Sequence, residues 1–166
     1  MTTAVSIVLL VPLACYLGVM MWSWLRYDEP RIVTYEKPEQ ALRSLIDDLK
    51  LARKSALVIA EKCKLDKAPK PLVDELISVL RDRHQAGVQI SLEVYATPPE
   101  QLGELRREGA VSITMLAAPP PYAARIIDRK RVTRFLGKDS ELYPAGTYLE
   151  ADRAPGIAFN LAAHLT

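Results

Sequence analysis

The sequence predicts an α/β fold: one N-terminal transmembrane helix, then a mixed, mainly parallel sheet flanked by helices. Three observations carry this expectation. All 22 Lys and Arg and all 20 Asp and Glu of the 166 residues lie beyond residue 25, which leaves one uncharged run at the amino end. From residue 38 onward, apolar residues recur three times first at helical spacing and then as a short run or a strict alternation. Pro and Gly stand where those segments start and stop. The charge content excludes a disordered or collagen-like chain, and two cysteines are too few for a disulfide scaffold. A single long apolar run excludes a polytopic membrane protein. The expected division is an anchor over residues 1–26, a linker over 27–38 and an α/β domain over 39–166.

The run from Thr2 to Leu25 holds 24 uncharged residues. At about 1.5 Å per residue a helix of that length reaches roughly 36 Å, enough for a hydrocarbon core of about 30 Å. Trp22, Trp24 and Tyr27 gather at one end, where amphipathic rings favour the headgroup level, and Arg26 can snorkel there. Ala14 and Gly18 form a small-xxx-small pair that lets another helix approach, and Pro12 can kink the span. A cleaved signal peptide is the rival reading; the first residues lack its basic segment. Arg26, Arg31 and Lys37 follow the run, so the positive-inside bias places the amino end outside and the domain on the cytoplasmic side of an inner or cytoplasmic membrane. Cys63 is the only cysteine beyond the run, which excludes a disulfide within the domain.

The elements follow in order. Arg26 to Lys37 reads as a charged connector, and Pro38 suits the first turn of a helix carrying Ala41, Leu42, Leu45, Ile46, Leu49 and Ala52 on one face. Asp47 and Asp48 fall on its opposite, solvated side. Ala56–Ala60 reads as a buried strand, Lys62–Lys70 as a Lys-rich loop, and Pro71 opens a second helix that Gly87 stops. Val88–Val94 alternates as a strand, and Thr97-Pro98-Pro99-Glu100 reads as a capping box before a short helix to Arg107. Ala110–Leu116 supplies another strand. This α-β-α-β-α-β order predicts parallel pairing. After the proline loop 117–121, Tyr122–Ile127 and Val132–Leu136 read as a hairpin about Asp128–Arg131. Tyr148–Glu150 reads as a short strand and Ala158–Leu165 as a closing amphipathic helix.

This layout resembles one half of a phospholipase D superfamily domain. The matching stretches are Leu57–Ala60 after a helix, Gln85-Ala86-Gly87-Val88-Gln89-Ile90, Glu104 to Ile113, and Arg125 to Val132 with Phe135-Leu136-Gly137 beyond. The resemblance covers roughly residues 39–165. The family's catalytic signature is H-x-K-x4-D. Asp128 falls on its aspartate, which puts Pro121 on the histidine that would attack phosphorus and Ala123 on the lysine that would hold phosphate oxygens. Gly137-Lys138-Asp139-Ser140 stands where the family has G-S-x-N. The resemblance therefore implies a catalytically empty copy.

Other chemistry has little support in the sequence. His84 suits the last turn of a helix, and His164 has no sequence-local partner. Two cysteines and two histidines are too scattered for a structural zinc site, no P-loop, dinucleotide fingerprint or nucleophile elbow is present, and no cofactor is expected. Cys63 precedes Lys64, which would favour a thiolate, while a semi-buried inert thiol is the plainer reading. Basic residues collect in Lys62, Lys64, Lys67 and Lys70 and around the hairpin in Arg125, Arg129, Lys130, Arg131, Arg134 and Lys138. They fit anionic lipid, a partner's acidic face or simple solvation. Nucleic acid fits least, with a net charge of only +2 and no aromatic interleaving. The expected function is a noncatalytic single-pass accessory subunit of a larger membrane protein complex, in contact with other membrane subunits and lipid. The alternatives are a membrane-anchored phosphodiesterase working with an active partner copy, and a regulator that binds anionic lipid or nucleic acid.

Overall fold

A computed structural model describes residues 30–137 and 140–152. In chain order the elements are β1 (Arg31–Tyr35), α1 (Pro38–Leu51), β2 (Ser55–Ala60), a 3-10 turn (Leu65–Lys67), α2 (Lys70–Gln85), β3 (Gln89–Val94), α3 (Glu100–Arg107), β4 (Ser112–Met115), β5 (Ala124–Ile127), β6 (Arg131–Phe135) and β7 (Gly146–Ala151). Pro38 opens α1, and the Gln40 side chain reaches back to accept the Glu36 and Lys37 N–H groups at 2.9 and 3.3 Å. The capping box expected at Thr97 does not form: Pro99 occupies the N-cap of α3 without a side-chain bond.

Among the described residues seven strands make one sheet in the order β1-β7-β6-β5-β2-β3-β4. This corrects the mainly parallel sheet. Only β2–β3 and β3–β4 pair in parallel, while β1–β7, β7–β6, β6–β5 and β5–β2 are antiparallel. The reason lies in the connections. Helices α2 and α3 supply the long crossovers that parallel neighbours require, whereas β5 and β6 are joined by a tight hairpin that forces them to oppose. Strand β1 lies inside the stretch read as a connector and adds an edge beside β7.

Alternate residues sort onto two faces. Ala56, Val58 and Ala60 of β2, Ile90, Leu92 and Val94 of β3, and Ile127 and Phe135 pack with Leu42, Leu45, Ile46 and Leu49 of α1, Leu76 of α2, and Leu105 of α3. The opposite face carries Ile59, Ala124, Ile126 and Val132, joined by Tyr122. All three described helices pack on the first face, so helices flank the sheet on one side only among the described residues.

A second correction concerns the membrane span. No helix among the described residues is long and apolar enough to cross a membrane. The anchor expected over residues 1–26, with Ala14, Gly18, Trp22, Trp24 and Arg26, and the closing helix expected at Ala158–Leu165 lie outside the described residues.

Candidate functional site

The topology gives the domain two poles. At the first pole β2, β3 and β4 begin, α1, α2 and α3 end, and the β5–β6 hairpin turns. Strand β1 also starts here, because Arg31 lies opposite Glu150 near the end of β7. At the second pole the parallel strands end, which in open α/β sheets is where ligand crevices form.

Asp128 organises the first pole. It and Arg129 sit at φ 53° and 56°, the left-handed region, and so turn the hairpin sharply. Short acidic side chains tolerate that region better than arginine does. The Asp128 carboxylate accepts the backbone N–H groups of Arg53 (3.0 and 3.1 Å), Lys54 (2.7 Å) and Ser55 (2.9 Å), while its own N–H donates to the Ser55 carbonyl at 2.8 Å. Partial burial works to raise its pKa, and the three backbone donors outweigh it, holding the carboxyl below the ordinary range. Asp128 thus clamps the α1–β2 turn to the hairpin.

Beneath the hairpin lies a buried ionic network. Asp48, read from sequence as solvated, is 1 % exposed. Its carboxylate meets Arg125 Nε at 2.5 Å and Arg131 Nε at 2.7 Å, with Thr133 Oγ1 at 3.4 Å. Arg125 is itself 4 % exposed and donates through Nη2 to Ser44 Oγ at 2.6 Å. The Tyr35 hydroxyl stands 2.8 Å from both Ser44 Oγ and Glu150 Oε1, and Arg131 reaches Asp152 at 3.2 Å. Burial raises the Asp48 carboxyl above its usual range against the opposing pull of the two arginines. The network ties α1 to β5, β6, β7 and β1.

The structure therefore separates the basic residues that the sequence grouped. Arg125 and Arg131 are committed to Asp48, and the Arg134 guanidinium stacks over the Tyr122 ring at 4.6 Å. Arg129 and Lys130 stay exposed at the hairpin tip. The Asp128 clamp brings exposed Arg53 and Lys54 beside them, two residues the sequence reading missed. Their only sequence signal was adjacency to a predicted helix end; the partner that places them lies more than 70 residues away.

At the second pole stand two of the three residues that the resemblance sets on the catalytic signature, Pro121 and Ala123, while the third, Asp128, lies at the first pole. Pro121 is exposed, and Ala123 is buried with its carbonyl accepting the Phe135 N–H at 2.9 Å. Ser140 is buried, and its hydroxyl donates to the Pro120 carbonyl at 3.1 Å. Its own carbonyl accepts the Glu61 N–H at 2.5 Å, and Lys64 pairs with Glu141. Cys63 is buried among these loops, and burial pushes its thiol up to about 12. His84 is exposed in the last turn of α2. No group of three or more His, Cys, Asp or Glu that could hold a metal ion occurs among the described residues.

No family model and no curated protein matches the chain. Solved structures do. NucT from Helicobacter pylori aligns with a TM-score of 0.57 and 15% identity over 82% of this chain and 92% of its own. The domain has a phospholipase D-like fold. Polyphosphate kinase from Porphyromonas gingivalis (TM-score 0.56, 13% identity) and phosphatidylserine synthase from Haemophilus influenzae (0.54, 12%) share it over 82% and 80% of this chain. This chain spans 26% and 35% of those two proteins. At such identities the likeness shows the fold alone.

Proposed function

We propose that this chain is a noncatalytic accessory subunit, whose phospholipase D-like domain serves as a docking module in a larger membrane assembly. One observation carries the reading: along the stretch that resembles H-x-K-x4-D, the aspartate is kept and the histidine and lysine positions hold Pro121 and Ala123. Proline has no side-chain donor or base, and alanine carries no charge to hold a phosphate oxygen. The retained Asp128 spends its carboxylate on three backbone N–H groups, a structural task that survives without the chemistry. The membrane setting is supported by composition, since Thr2 to Leu25 carry no charge.

The test is phosphodiester hydrolysis by the purified full chain, with bis-p-nitrophenyl phosphate, phosphatidylglycerol vesicles and a single-stranded oligonucleotide as substrates. Turnover indistinguishable from the buffer blank is expected on all three. Turnover on any one of them, carried by the chain without a partner, would overturn the reading.

A further inference from the structure

We infer that the first pole of the domain docks on a bilayer of anionic phospholipid, through Arg53, Lys54, Arg129 and Lys130 with Leu51 beside them. All four cations are exposed, and none forms an ion pair with a described residue. Among them the Asp128 carboxylate is held by the backbone of the α1–β2 turn with the Lys54 charge beside it, one negative charge against four positive ones, and Asp152 is engaged by Arg31 and Arg131. The pole's surplus positive charge is therefore free to meet a negative surface.

Three features of the pole select lipid as the partner. The chain enters the domain at Arg31, which pairs with Glu150 at this same pole. Only five residues, Arg26 to Pro30, separate Arg31 from the uncharged stretch that ends at Leu25. Fully extended they reach at most about 18 Å, so a lipid surface that meets the uncharged stretch lies close to the pole. Attraction to anionic headgroups acts over a Debye length of about 10 Å, which is within that reach. Second, Leu51, the last residue of α1, is 57% exposed two residues before Arg53, an apolar side chain able to enter the acyl boundary. Third, none of the exposed residues named at this pole is aromatic, so nucleic-acid bases find no stacking platform in it. Arg129 adds a further sign. It holds a left-handed backbone that glycine would adopt freely, and that geometry carries a cation to the outermost turn. The inference shares only its membrane setting with the proposed function, and hydrolysis results leave it untouched.

The test uses the full chain, reconstituted into vesicles of phosphatidylcholine alone or with a third of the lipid replaced by phosphatidylglycerol. An environment-sensitive fluorophore is placed at Leu51→Cys in a Cys15→Ser background, and in a second protein at Lys67→Cys, on the opposite pole. A blue shift at position 51 in the anionic vesicles only, reversed by high salt, is expected, with position 67 unchanged. Each cation at an anionic surface contributes roughly fivefold, so R53Q/K54Q/R129G/K130Q should weaken docking by roughly 10²–10³-fold and R129G/K130Q alone by roughly 20-fold. The smaller variant guards against misfolding, because glycine suits the backbone at position 129. Equal spectra in both lipids, a shift that survives the four substitutions, or retardation of an oligonucleotide through the same four residues without any lipid response would each overturn the inference.

Discussion

Replacing Asp48 by Asn is the sharpest perturbation of the fold. The side chain keeps its size but loses its charge, and Arg125, 4 % exposed and 2.5 Å from the carboxylate, is left buried without a counter-ion. Arg131 loses the same partner at 2.7 Å but retains Asp152 at 3.2 Å and is better solvated. Breaking a buried pair from one side costs about 3–5 kcal/mol, because the orphaned charge keeps its desolvation penalty. Against a total stability of about 5–15 kcal/mol that is a large fraction. In urea, with a slope of about 2 kcal/mol/M, the midpoint should fall by roughly 2 M. Removing both charges in D48L/R125M should recover most of the loss, since well-packed apolar replacements of buried pairs are often neutral or stabilising. A loss below about 1 kcal/mol for Asp48→Asn, or a double variant as weak as the single one, would refute the assignment of this network as the tie between α1 and the antiparallel half of the sheet.

Other outcomes follow from the same geometry. Asp128 is held below the ordinary carboxylate range, so its contribution is present above the unfolded carboxyl pKa and is lost as pH falls through the lowered folded value. Asp128→Asn should therefore cost about 1.5–3 kcal/mol at neutral pH, and the gap from the native chain should close in acid when urea midpoints are compared across pH. Arg129→Gly should raise the urea midpoint, by roughly 0.5–1 kcal/mol of stability, because φ 56° is strained for arginine and free for glycine. With its thiol pushed up to about 12 by burial, Cys63 should resist iodoacetamide at mildly alkaline pH in a Cys15→Ser chain and react at once in urea, as mass spectrometry would read directly.

Local rules made the helices legible. Pro38 and the apolar spacing from Ala41 to Leu49 mark α1 to within a residue, and the alternation of Val88 to Val94 marks β3. What stayed hidden depends on partners far along the chain. Strand β1 reads as a connector because its residues gain meaning only beside β7, more than 110 residues later. The sheet's direction is hidden because the α-β alternation stops after β4: β5 returns across the sheet to lie antiparallel beside β2, and β6 and β7 then pair antiparallel in turn. Asp48 sits beside Asp47 and looks solvated, and only the return of β5 and β6 over α1 delivers the two arginines that bury it. At the candidate site Arg129 and Lys130 were legible as an exposed basic turn. Arg53 and Lys54 were not, since Asp128 alone brings them there.

As proposed, this domain works as a docking subunit in a larger assembly. Its most direct test is the composition of the particle that the intact chain forms after gentle extraction in mild detergent, read by native mass spectrometry. The expected result is a complex in which this chain is bound in fixed stoichiometry to at least one different protein, and in which D48L/R125M, folded but altered inside, still assembles. A chain extracted alone, without any partner at any detergent concentration that keeps it folded, would contradict it.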